Sequence, residues 1–193
     1  MVEIMIREII KHFFQQAYPP KEDFISISTA KGVRIGKNVS FISPISPVIF
    51  SSEPYLISIG DNSTISFDVA FITHDAATRV LRNLPNENPE TVIYGPIEIG
   101  KNCFIGARTT ILPNVKIGDN TIIGACSLVN RSIPSNVVAA GNPCKVICTL
   151  EEYKKKHQED FLYMVSLPYE EKKHFLMNHF KKNEDNVKHQ GNL

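Results

Sequence analysis

The residue with the clearest potential for chemistry is His74, the only histidine between Ile25 and Leu150. An imidazole takes up and returns a proton near neutral pH, which suits a general base that activates a hydroxyl group. His74 precedes an irregular stretch at 75–95, so it can face a cleft instead of a packed interior. From the residues alone, a catalytic role and a structural role at a corner of the chain are equally open.

Asp75 is the nearest carboxylate in sequence that could orient His74. Neighbouring side chains of an extended strand point to opposite faces, so direct pairing is awkward. A backbone carbonyl, or a carboxylate from another part of the fold, could hold the imidazole tautomer equally well. The loop at 75–95 also carries Arg79 and Arg82, which could bind a phosphate or carboxylate of a ligand. A solvated loop with an apolar anchor is the simpler interpretation of each arginine.

A repeat of six residues organises the middle of the chain and must position His74. Its clearest track is Ile99, Ile105, Ile111, Ile117, Ile123 and Val129. A period of six cannot come from a helix with 3.6 residues per turn, whereas a short strand followed by a tight corner repeats at that length. We therefore predict a triangular coil of short parallel strands. A second track from Ile35 to Phe71 breaks down mainly at Pro47 and Glu53.

Glycine and asparagine mark one recurrent corner of this coil. Four short motifs, each Ile-Gly followed by Lys or Asp and then Asn, begin at Ile35, Ile59, Ile99 and Ile117. Gly and Asn tolerate the positive φ that tight corners require. The last interval is 18 residues, one circuit of three hexads, whereas the first two are 24 and 40 residues. Extra chain therefore leaves the coil near 46–56 and again, at greater length, between 74 and 96.

Length and charge exclude several classes of protein. A chain of 193 residues fits one domain with appendages, and 21 Lys+Arg against 20 Asp+Glu provide no basic surface for nucleic acid. No apolar run approaches the roughly 20 residues that cross a bilayer. The first residues are charged and do not resemble a secretory signal. We expect a cytoplasmic protein without membrane insertion, with reduced thiols at its four cysteines and no metal site.

The sequence divides into three parts. We predict an N-terminal helical cap at 1–24, with a helix at 2–16. The coil is predicted at 25–149, with an inserted loop at 75–95. A C-terminal extension is predicted at 150–193, with helices at 150–165 and 168–182 and a polar tail after them.

Several motifs of the coil resemble those of the hexapeptide-repeat acyltransferases. The resemblance covers about 25–150 and is closest to the coenzyme A-dependent branch with maltose, galactoside, serine and xenobiotic acetyltransferases. The motifs are Pro96-Ile97-Glu98-Ile99-Gly100, Ile105-Gly106-Ala107, Ile111-Leu112-Pro113-Asn114-Val115, Ile123-Gly124-Ala125 and Gly141-Asn142-Pro143-Cys144-Lys145. Two further motifs, Glu53-Pro54-Tyr55-Leu56-Ile57 and Phe71-Ile72-Thr73-His74-Asp75, look most like acyltransferases of capsule or lipopolysaccharide sugar pathways. The resemblance implies a left-handed parallel β-helix, acetyl-CoA as donor and a homotrimer with active sites between neighbouring coils.

The same resemblance implies roles for individual residues. His74 stands at the position of the catalytic histidine, and an amide of Ala107 or Ala125 is expected to bind the thioester oxygen. Arg131 and Lys145 stand where relatives place basic residues near the coenzyme phosphates. The expected donor site comprises Gly106, Ala107, Gly124, Ala125, Arg131, Asn142, Pro143 and Lys145. The expected acceptor site comprises Asp75, Arg79, Arg82 and Phe104, where Phe104 replaces the tryptophan of many relatives.

The predicted function is transfer of an acetyl group from acetyl-CoA to a hydroxyl of a sugar or oligosaccharide, such as a surface-polysaccharide precursor. N-acetylation of an aminosugar nucleotide or a xenobiotic would use the same donor groove and the same histidine. A non-catalytic scaffold is a third interpretation, which the intact donor-site motifs disfavour. A carbonic anhydrase on the same coil needs three histidines around a metal ion, and the coil offers only His74.

Overall fold

A computed structural model describes residues 6–7, 21–42 and 47–190 of the chain. The helix predicted at 2–16 lies outside the described residues apart from Ile6 and Arg7. Contacts divide the chain into two units, Met1–Lys155 and Lys156–Leu193. The first unit contains the whole six-residue repeat and therefore His74.

The repeat folds into short strands, most of two or three residues. In chain order they are β1 (Arg34–Ile35), β2 (Ser40–Phe41), β3 (Ile57–Ile59), β4 (Thr64–Ile65), β5 (Ala70–Phe71), β6 (His74–Asp75), β7 (Ile93–Tyr94), β8 (Ile97–Ile99), β9 (Phe104–Ile105), β10 (Thr110–Ile111), β11 (Val115–Ile117), β12 (Ile122–Ile123), β13 (Leu128–Val129), β14 (Val137–Ala140) and β15 (Lys145–Thr149). From residue 21 onward, the helices among the described residues are α1 (Lys21–Ala30), α2 (Arg79–Arg82), α3 (Leu150–Lys156) and α4 (Tyr169–Gln190).

Three parallel sheets form the walls of a triangular coil. The first face consists of β1, β3, β8 and β11, the second of β2, β4, β9, β12 and β14, and the third of β5, β10 and β13. The register is constant from circuit to circuit, because Ile59 pairs with Ile99 on the first face and Ile65 pairs with Ile105 on the second. The parallel strands predicted from the repeat are thereby confirmed.

The residues of the period-six track fill the interior. Ile105, Ile111, Ile117, Ile123 and Val129 are completely buried. Burial of each such side chain contributes about 1.5–3 kcal/mol to folding. The smaller residues between them carry buried hydroxyls that hydrogen-bond to corner carbonyls: Thr109 and Ser127 both donate to Gly124 O, at 3.2 and 2.6 Å. The interior is therefore apolar along the track, and the buried hydroxyls of Thr109 and Ser127 both form hydrogen bonds.

The corner between the first and second faces is a ladder of asparagines, here called the asparagine edge. Its members are Asn38, Asn62, Asn102, Asn120 and Asn136, all with φ between 53° and 63°. The amide of Asn102 donates to Asn120 Oδ1 at 2.9 Å, and that of Asn120 donates to Asn136 Oδ1 at 3.0 Å. Asn is the side chain that best tolerates left-handed backbone and can also bond to its neighbours.

A column of charge runs beside the asparagine edge. The residue before each asparagine is Lys37, Asp61, Lys101, Asp119 and Ser135 in turn. Asp61 accepts a hydrogen bond from the Lys37 amide at 2.8 Å, and Asp119 accepts one from the Lys101 amide at 2.7 Å. Lysine and aspartate therefore alternate down the first four circuits of this edge.

The first circuit differs from the others. Helix α1 precedes it and crosses the boundary placed between residues 24 and 25, so the coil itself begins only at β1. A short 3-10 turn at Pro47–Phe50 replaces the strand of the third face. The buried ring of Phe50 lies 5.7 Å from Phe24 of α1 and 5.4 Å from Phe71 of β5, measured between ring centroids. Aromatic packing thus joins α1 to the coil.

The end of the coil reverses direction. Strand β15 pairs antiparallel with β14, and α3 follows it directly. Helix α3 is shorter than the helix predicted at 150–165, and a 3-10 turn at Gln158–Asp160 follows it. In the second unit, α4 extends beyond the helix predicted at 168–182. Among the described residues no helix combines the length and the apolar character needed to span a membrane.

Candidate active site

His74 lies where the coil is interrupted. It follows the last strand of the second circuit, β5, and the chain returns to the coil only at β8. The two ends of this excursion, β6 and β7, pair antiparallel with each other. The His74 side chain retains 29% of its accessible surface. The excursion therefore holds His74 outside the interior at the corner between the third and first faces, here called the histidine edge.

Glu53 is the partner of His74. The Glu53 carboxylate oxygen Oε2 lies 2.9 Å from His74 Nδ1 and accepts a 2.6 Å hydrogen bond from Thr73 Oγ1. Ser52 Oγ lies 3.4 Å from the same imidazole nitrogen. Glu53 immediately precedes the segment leading to β3, so it occupies the same edge as His74 one circuit earlier. Two successive circuits thus bring a carboxylate and an imidazole together.

These contacts fix the charge of Glu53. Its side chain retains only 12% of its accessible surface, and burial by itself would raise the pKa of the carboxyl group. Hydrogen bonds from Thr73, His74 and Ser52 outweigh that cost and lower the pKa below its ordinary value. Glu53 is therefore ionised at neutral pH, and an ionised carboxylate can only accept hydrogen bonds. The arrangement places the imidazole proton on Nδ1 and leaves the lone pair on Nε2.

The sequence alone leaves the orienting partner of His74 open and does not identify Glu53. A signal was present, because Glu53 occupies a position of the period-six track where every intact circuit has an aliphatic or aromatic residue. A carboxylate at such a position must leave the interior or find partners there. Glu53 leaves the interior, because the chain bends outward through a 3-10 turn at Pro54–Leu56. It also finds partners, Thr73 and His74.

Asp75 has a different task. Its carboxylate accepts a 2.8 Å hydrogen bond from the amide of Ala77 and caps the 3-10 turn at Ala76–Thr78. The side chain is exposed and lines the same cavity as His74. Asp75 therefore stabilises the start of the excursion, whereas the imidazole is held by Glu53.

A cavity opens beside His74. Its volume is about 390 Å³, within the range that small ligands occupy in proteins. The lining residues are Ser51, Ile72, His74, Asp75, Ala76, Leu112 and Pro113. Ser51 has a positive φ of 56°, an uncommon conformation for a residue other than glycine. The cavity therefore combines a mainly apolar wall with the hydroxyl of Ser51, the carboxylate of Asp75 and the imidazole.

The two arginines of the excursion differ in their surroundings. Arg82 Nε donates a 2.7 Å hydrogen bond to Thr91 O, which ties α2 to the returning segment. Arg79 is exposed at the start of α2. Neither lines the cavity at His74. Phe104, also named as an acceptor residue, is exposed on the second face and does not line that cavity either.

The small residues of the expected donor site lie at another corner. Gly106-Ala107 and Gly124-Ala125 follow β9 and β12, so they stack at the corner between the second and third faces, here called the alanine edge. A Cβ atom on Gly106 would lie 2.4 Å from Ala125 N, so the stacking itself requires glycine. Both glycine amides donate within the coil, to Ile123 O and Ala139 O. Within the described part of the chain, the amides of Ala107 and Ala125 donate to no protein acceptor.

The turn after β14 closes the alanine edge. Gly141 has a φ of 102°, a conformation that favours glycine, and its carbonyl accepts a 3.0 Å hydrogen bond from Leu128 N. The buried Cys144 donates its amide to Leu128 O at 2.8 Å. The remaining donor-site candidates, Asn142, Pro143, Lys145 and Arg131, are exposed. This turn therefore presents Asn142, Pro143 and Lys145 beside the last circuit.

The two halves of the expected site are separate in one chain. His74 follows a strand of the third face, whereas Ala107 and Ala125 follow strands of the second face, so a whole face of the coil lies between them. No group of three metal-ligating side chains occurs among the residues the structure describes. The described residues thus offer a carboxylate-held imidazole at one edge and, at another, two amides that donate to no described protein acceptor.

Comparison with known proteins gives a consistent result. The family model of bacterial transferase hexapeptide (six repeats) matches residues 89–131. Protein CapG of Staphylococcus aureus is 43% identical over 155 residues, which cover 80% of this chain and 88% of the relative. Galactoside O-acetyltransferase of Escherichia coli (strain K12) is 35% identical over 158 residues, covering 80% of this chain and 71% of the relative.

A solved structure extends the likeness to three dimensions. The structure of a galactoside acetyltransferase in complex with coenzyme A aligns over 82% of this chain and 84% of that chain, with a TM-score of 0.50 and 26% identity. The similarity thus covers most of both chains in sequence and in structure. The chain belongs to the hexapeptide-repeat acetyltransferases.

Proposed function

We propose that this protein transfers the acetyl group of acetyl-CoA to a hydroxyl group of a sugar, with His74 as general base. The observation that carries this proposal is the 2.9 Å contact between Glu53 Oε2 and His74 Nδ1 at the wall of the cavity. An imidazole held through Nδ1 presents Nε2 to the cavity in the form that accepts a proton. The similarity to a galactoside O-acetyltransferase supports a sugar as acceptor.

The reaction needs one proton acceptor and one site for negative charge. As the sugar oxygen attacks the thioester carbonyl, a C–O bond forms and His74 Nε2 takes the hydroxyl proton. The charge that develops on the carbonyl oxygen requires a hydrogen-bond donor such as a backbone amide. The C–S bond then breaks, and the departing coenzyme A thiolate receives the proton from His74. The products are the acetylated sugar and coenzyme A.

The alanine edge is our candidate for the donor site. Amides of Ala107 and Ala125 donate to no described protein acceptor, so either can bind the thioester oxygen. Gly106 and Gly124 keep this edge flat enough for an extended pantetheine arm. The exposed Arg131 and Lys145 would attract the coenzyme phosphates, with Asn142 and Pro143 bordering the arm.

A donor at the alanine edge meets His74 only if a second copy of the chain is present. The two edges are separated by a face within one coil, and a cyclic trimer would bring the histidine edge of one copy against the alanine edge of the next. We therefore propose a homotrimer of left-handed coils, the hand that the solved relatives of this family imply. Each active site would then be shared between two copies.

The proposed acceptor is a precursor of a surface polysaccharide. Support comes from the motifs around Glu53 and His74, which look most like those of acyltransferases in capsule and lipopolysaccharide pathways. The cavity that contacts His74 has no cation among its lining residues, so the reacting sugar ring can be neutral. Charged parts of the acceptor would lie farther out, toward Arg79.

The test is thiol release from acetyl-CoA across a panel of neutral sugars, amino sugars and their nucleotide-linked forms, with mass spectrometry of each product. We expect an acetyl ester on a sugar hydroxyl. For His74→Ala we expect turnover to fall by about 10²–10⁴ with the fold and the KM for acetyl-CoA retained. Near wild-type turnover of His74→Ala would exclude the imidazole as the base. An amide product would show that the reaction is N-acetylation and not O-acetylation. No thiol release with any acceptor would favour a non-catalytic scaffold.

A further inference from the structure

The excursion brings one aromatic side chain beside His74. In the antiparallel pair of β6 and β7, Tyr94 is the residue directly opposite His74. Residues opposite each other in such a pair carry their side chains on the same side of the ribbon. The two ring centroids are 5.9 Å apart, with the ring planes inclined by 53°. Tyr94 and the imidazole therefore face the same region.

Tyr94 keeps most of its surface free. Its relative accessible surface is 55%, although its ring lies beside the half-buried imidazole of His74, which lines the cavity; Tyr94 itself is outside that lining. The exposed face of an aromatic ring is an unused contact surface, because water solvates it poorly.

The shape of the neighbouring cavity adds a second observation. Ile72, Leu112 and Pro113 supply apolar walls, and polar groups are few. A pyranose ring has the matching character, since C–H groups cover one of its faces while hydroxyls project from its rim. Such a ring can pack its C–H face on an aromatic ring and still present a rim hydroxyl to Nε2 of His74.

We propose that Tyr94 is the platform on which the acceptor sugar ring packs, and that it selects cyclic sugars over linear alcohols. This inference rests on the proposed function and adds to it a specificity-determining residue and an acceptor class. The contribution comes from the ring of Tyr94, not from its hydroxyl. The proposal also explains why the returning strand β7 pairs with β6: the pairing carries the platform back to the base.

Kinetics of three variants test the platform. We expect Tyr94→Ala to raise the KM for the sugar acceptor about tenfold, leaving the KM for acetyl-CoA unchanged. Tyr94→Phe should rescue most of that loss, because it restores the ring. The matched control is Ile93→Ala, which removes a side chain of similar exposure from the adjacent position of β7. An unchanged acceptor KM in Tyr94→Ala would overturn the proposal, as would equal losses in Ile93→Ala.

A binding measurement makes the test independent of turnover. The chain contains no tryptophan, so Tyr94→Trp in a His74→Ala background provides a single emitter at the platform. Titration with methyl glycosides of the accepted sugars should change its emission, while glycerol at the same concentration should not. Equal responses to the glycosides and glycerol, or no response at all, would overturn the proposal.

Two outcomes separate this inference from the proposed function. If His74→Ala abolishes transfer and Tyr94→Ala leaves the acceptor KM unchanged, the function stands and the platform is wrong. If His74→Ala retains transfer, the proposed base is wrong whatever Tyr94 does. Light scattering supplies the remaining control: a changed molecular mass of Tyr94→Ala would identify the ring as a subunit contact and overturn the platform.

Discussion

A single carboxylate orients the imidazole of His74. Glu53 receives hydrogen bonds from Thr73 and His74 on the same oxygen, so its position is fixed from two sides. The imidazole proton is then confined to Nδ1, and in the proposed reaction the ionised carboxylate would stabilise the imidazolium formed when Nε2 takes a proton. Glu53 is thus a positioning residue, because it contacts His74 and is not itself among the residues that line the cavity.

We expect Glu53→Gln to lower kcat about ten- to hundredfold, less than the loss of His74 itself. The amide can still accept from Nδ1 but cannot balance the imidazolium charge. The KM for acetyl-CoA should not change, and Glu53→Asp should recover part of kcat. The matched control is Glu98→Gln, an exposed carboxylate paired with Lys116 at 3.2 Å on the first face. A wild-type kcat in Glu53→Gln would contradict the role.

The same substitution has a signature in stability. The pKa of Glu53 is lowered in the folded chain, so the ionised form stabilises the fold at every pH above the ordinary value of 4.5. That contribution disappears as pH falls through the lowered pKa. The difference in Tm between wild type and Glu53→Gln should therefore shrink as pH falls below 4.5. A difference in Tm that stays undiminished at pH values well below 4.5 would contradict the assignment.

Among the elements of the fold, the asparagine edge depends most strongly on residue type. Asn120 accepts from Asn102 and donates to Asn136, and it does so with a φ of 53°. Alanine at this position loses both hydrogen bonds and keeps the unfavourable backbone. We expect Asn120→Ala to lower the free energy of unfolding by about 1.5–4 kcal/mol, measured by urea denaturation.

Two variants separate the causes of that loss. Asn120→Gly removes the hydrogen bonds but accepts positive φ, so its loss should be smaller than that of Asn120→Ala. Asn130→Ala, at an exposed position without positive φ, should remain within about 0.5 kcal/mol of wild type. Equal losses at positions 120 and 130 would show that the ladder contributes no stability.

The elements also show how far the sequence could predict the fold. The period of six identified the interior column and the corners, because both depend on local geometry that recurs in each circuit. Helix α1 was not identified, since Phe24, Ile25, Ser26, Ile27 and Ser28 alternate like a strand. Packing of Phe24 on Phe41 and Phe50 favours the helix over that alternation.

The site was predictable only in part for a related reason. His74 can be identified from the sequence, because it is a histidine at the point where the repeat is interrupted, and Asp75 is its neighbour in sequence. Glu53 and Tyr94 reach His74 through two irregular excursions, and the number of residues in an excursion does not determine where it returns. The contacts of Glu53 and Tyr94 with His74 depend on where each excursion rejoins the coil, so the six-residue repeat alone could not predict these contacts.

For the whole molecule, the decisive question is whether one site draws on two copies. The histidine edge and the alanine edge belong to different corners of one coil. We expect His74→Ala and Ala125→Trp each to lower transfer by at least about a hundredfold, the second by filling the proposed donor groove. Co-expressed copies should regain about a quarter of wild-type activity, because a random neighbour pair combines an intact His74 with an intact alanine edge that often.

The control for this experiment is a double variant co-expressed with wild type. It carries the same two changes in one chain, so it provides the same numbers of intact histidine and alanine edges. If the two co-expressed single variants show no more activity than the sum of their separate activities, the whole site lies within one chain. Size-exclusion chromatography with light scattering reports directly whether the mixed copies share one assembly.

The alternation of lysine and aspartate beside the asparagine edge sets a rule for how such a chain can change its length. Removing the single circuit that contains Lys101 would bring Asp61 next to Asp119, and duplicating it would stack lysine on lysine. Removing two consecutive circuits would restore the alternation. Related chains are therefore expected to gain or lose circuits in pairs, because only an even number keeps lysine beside aspartate along this edge.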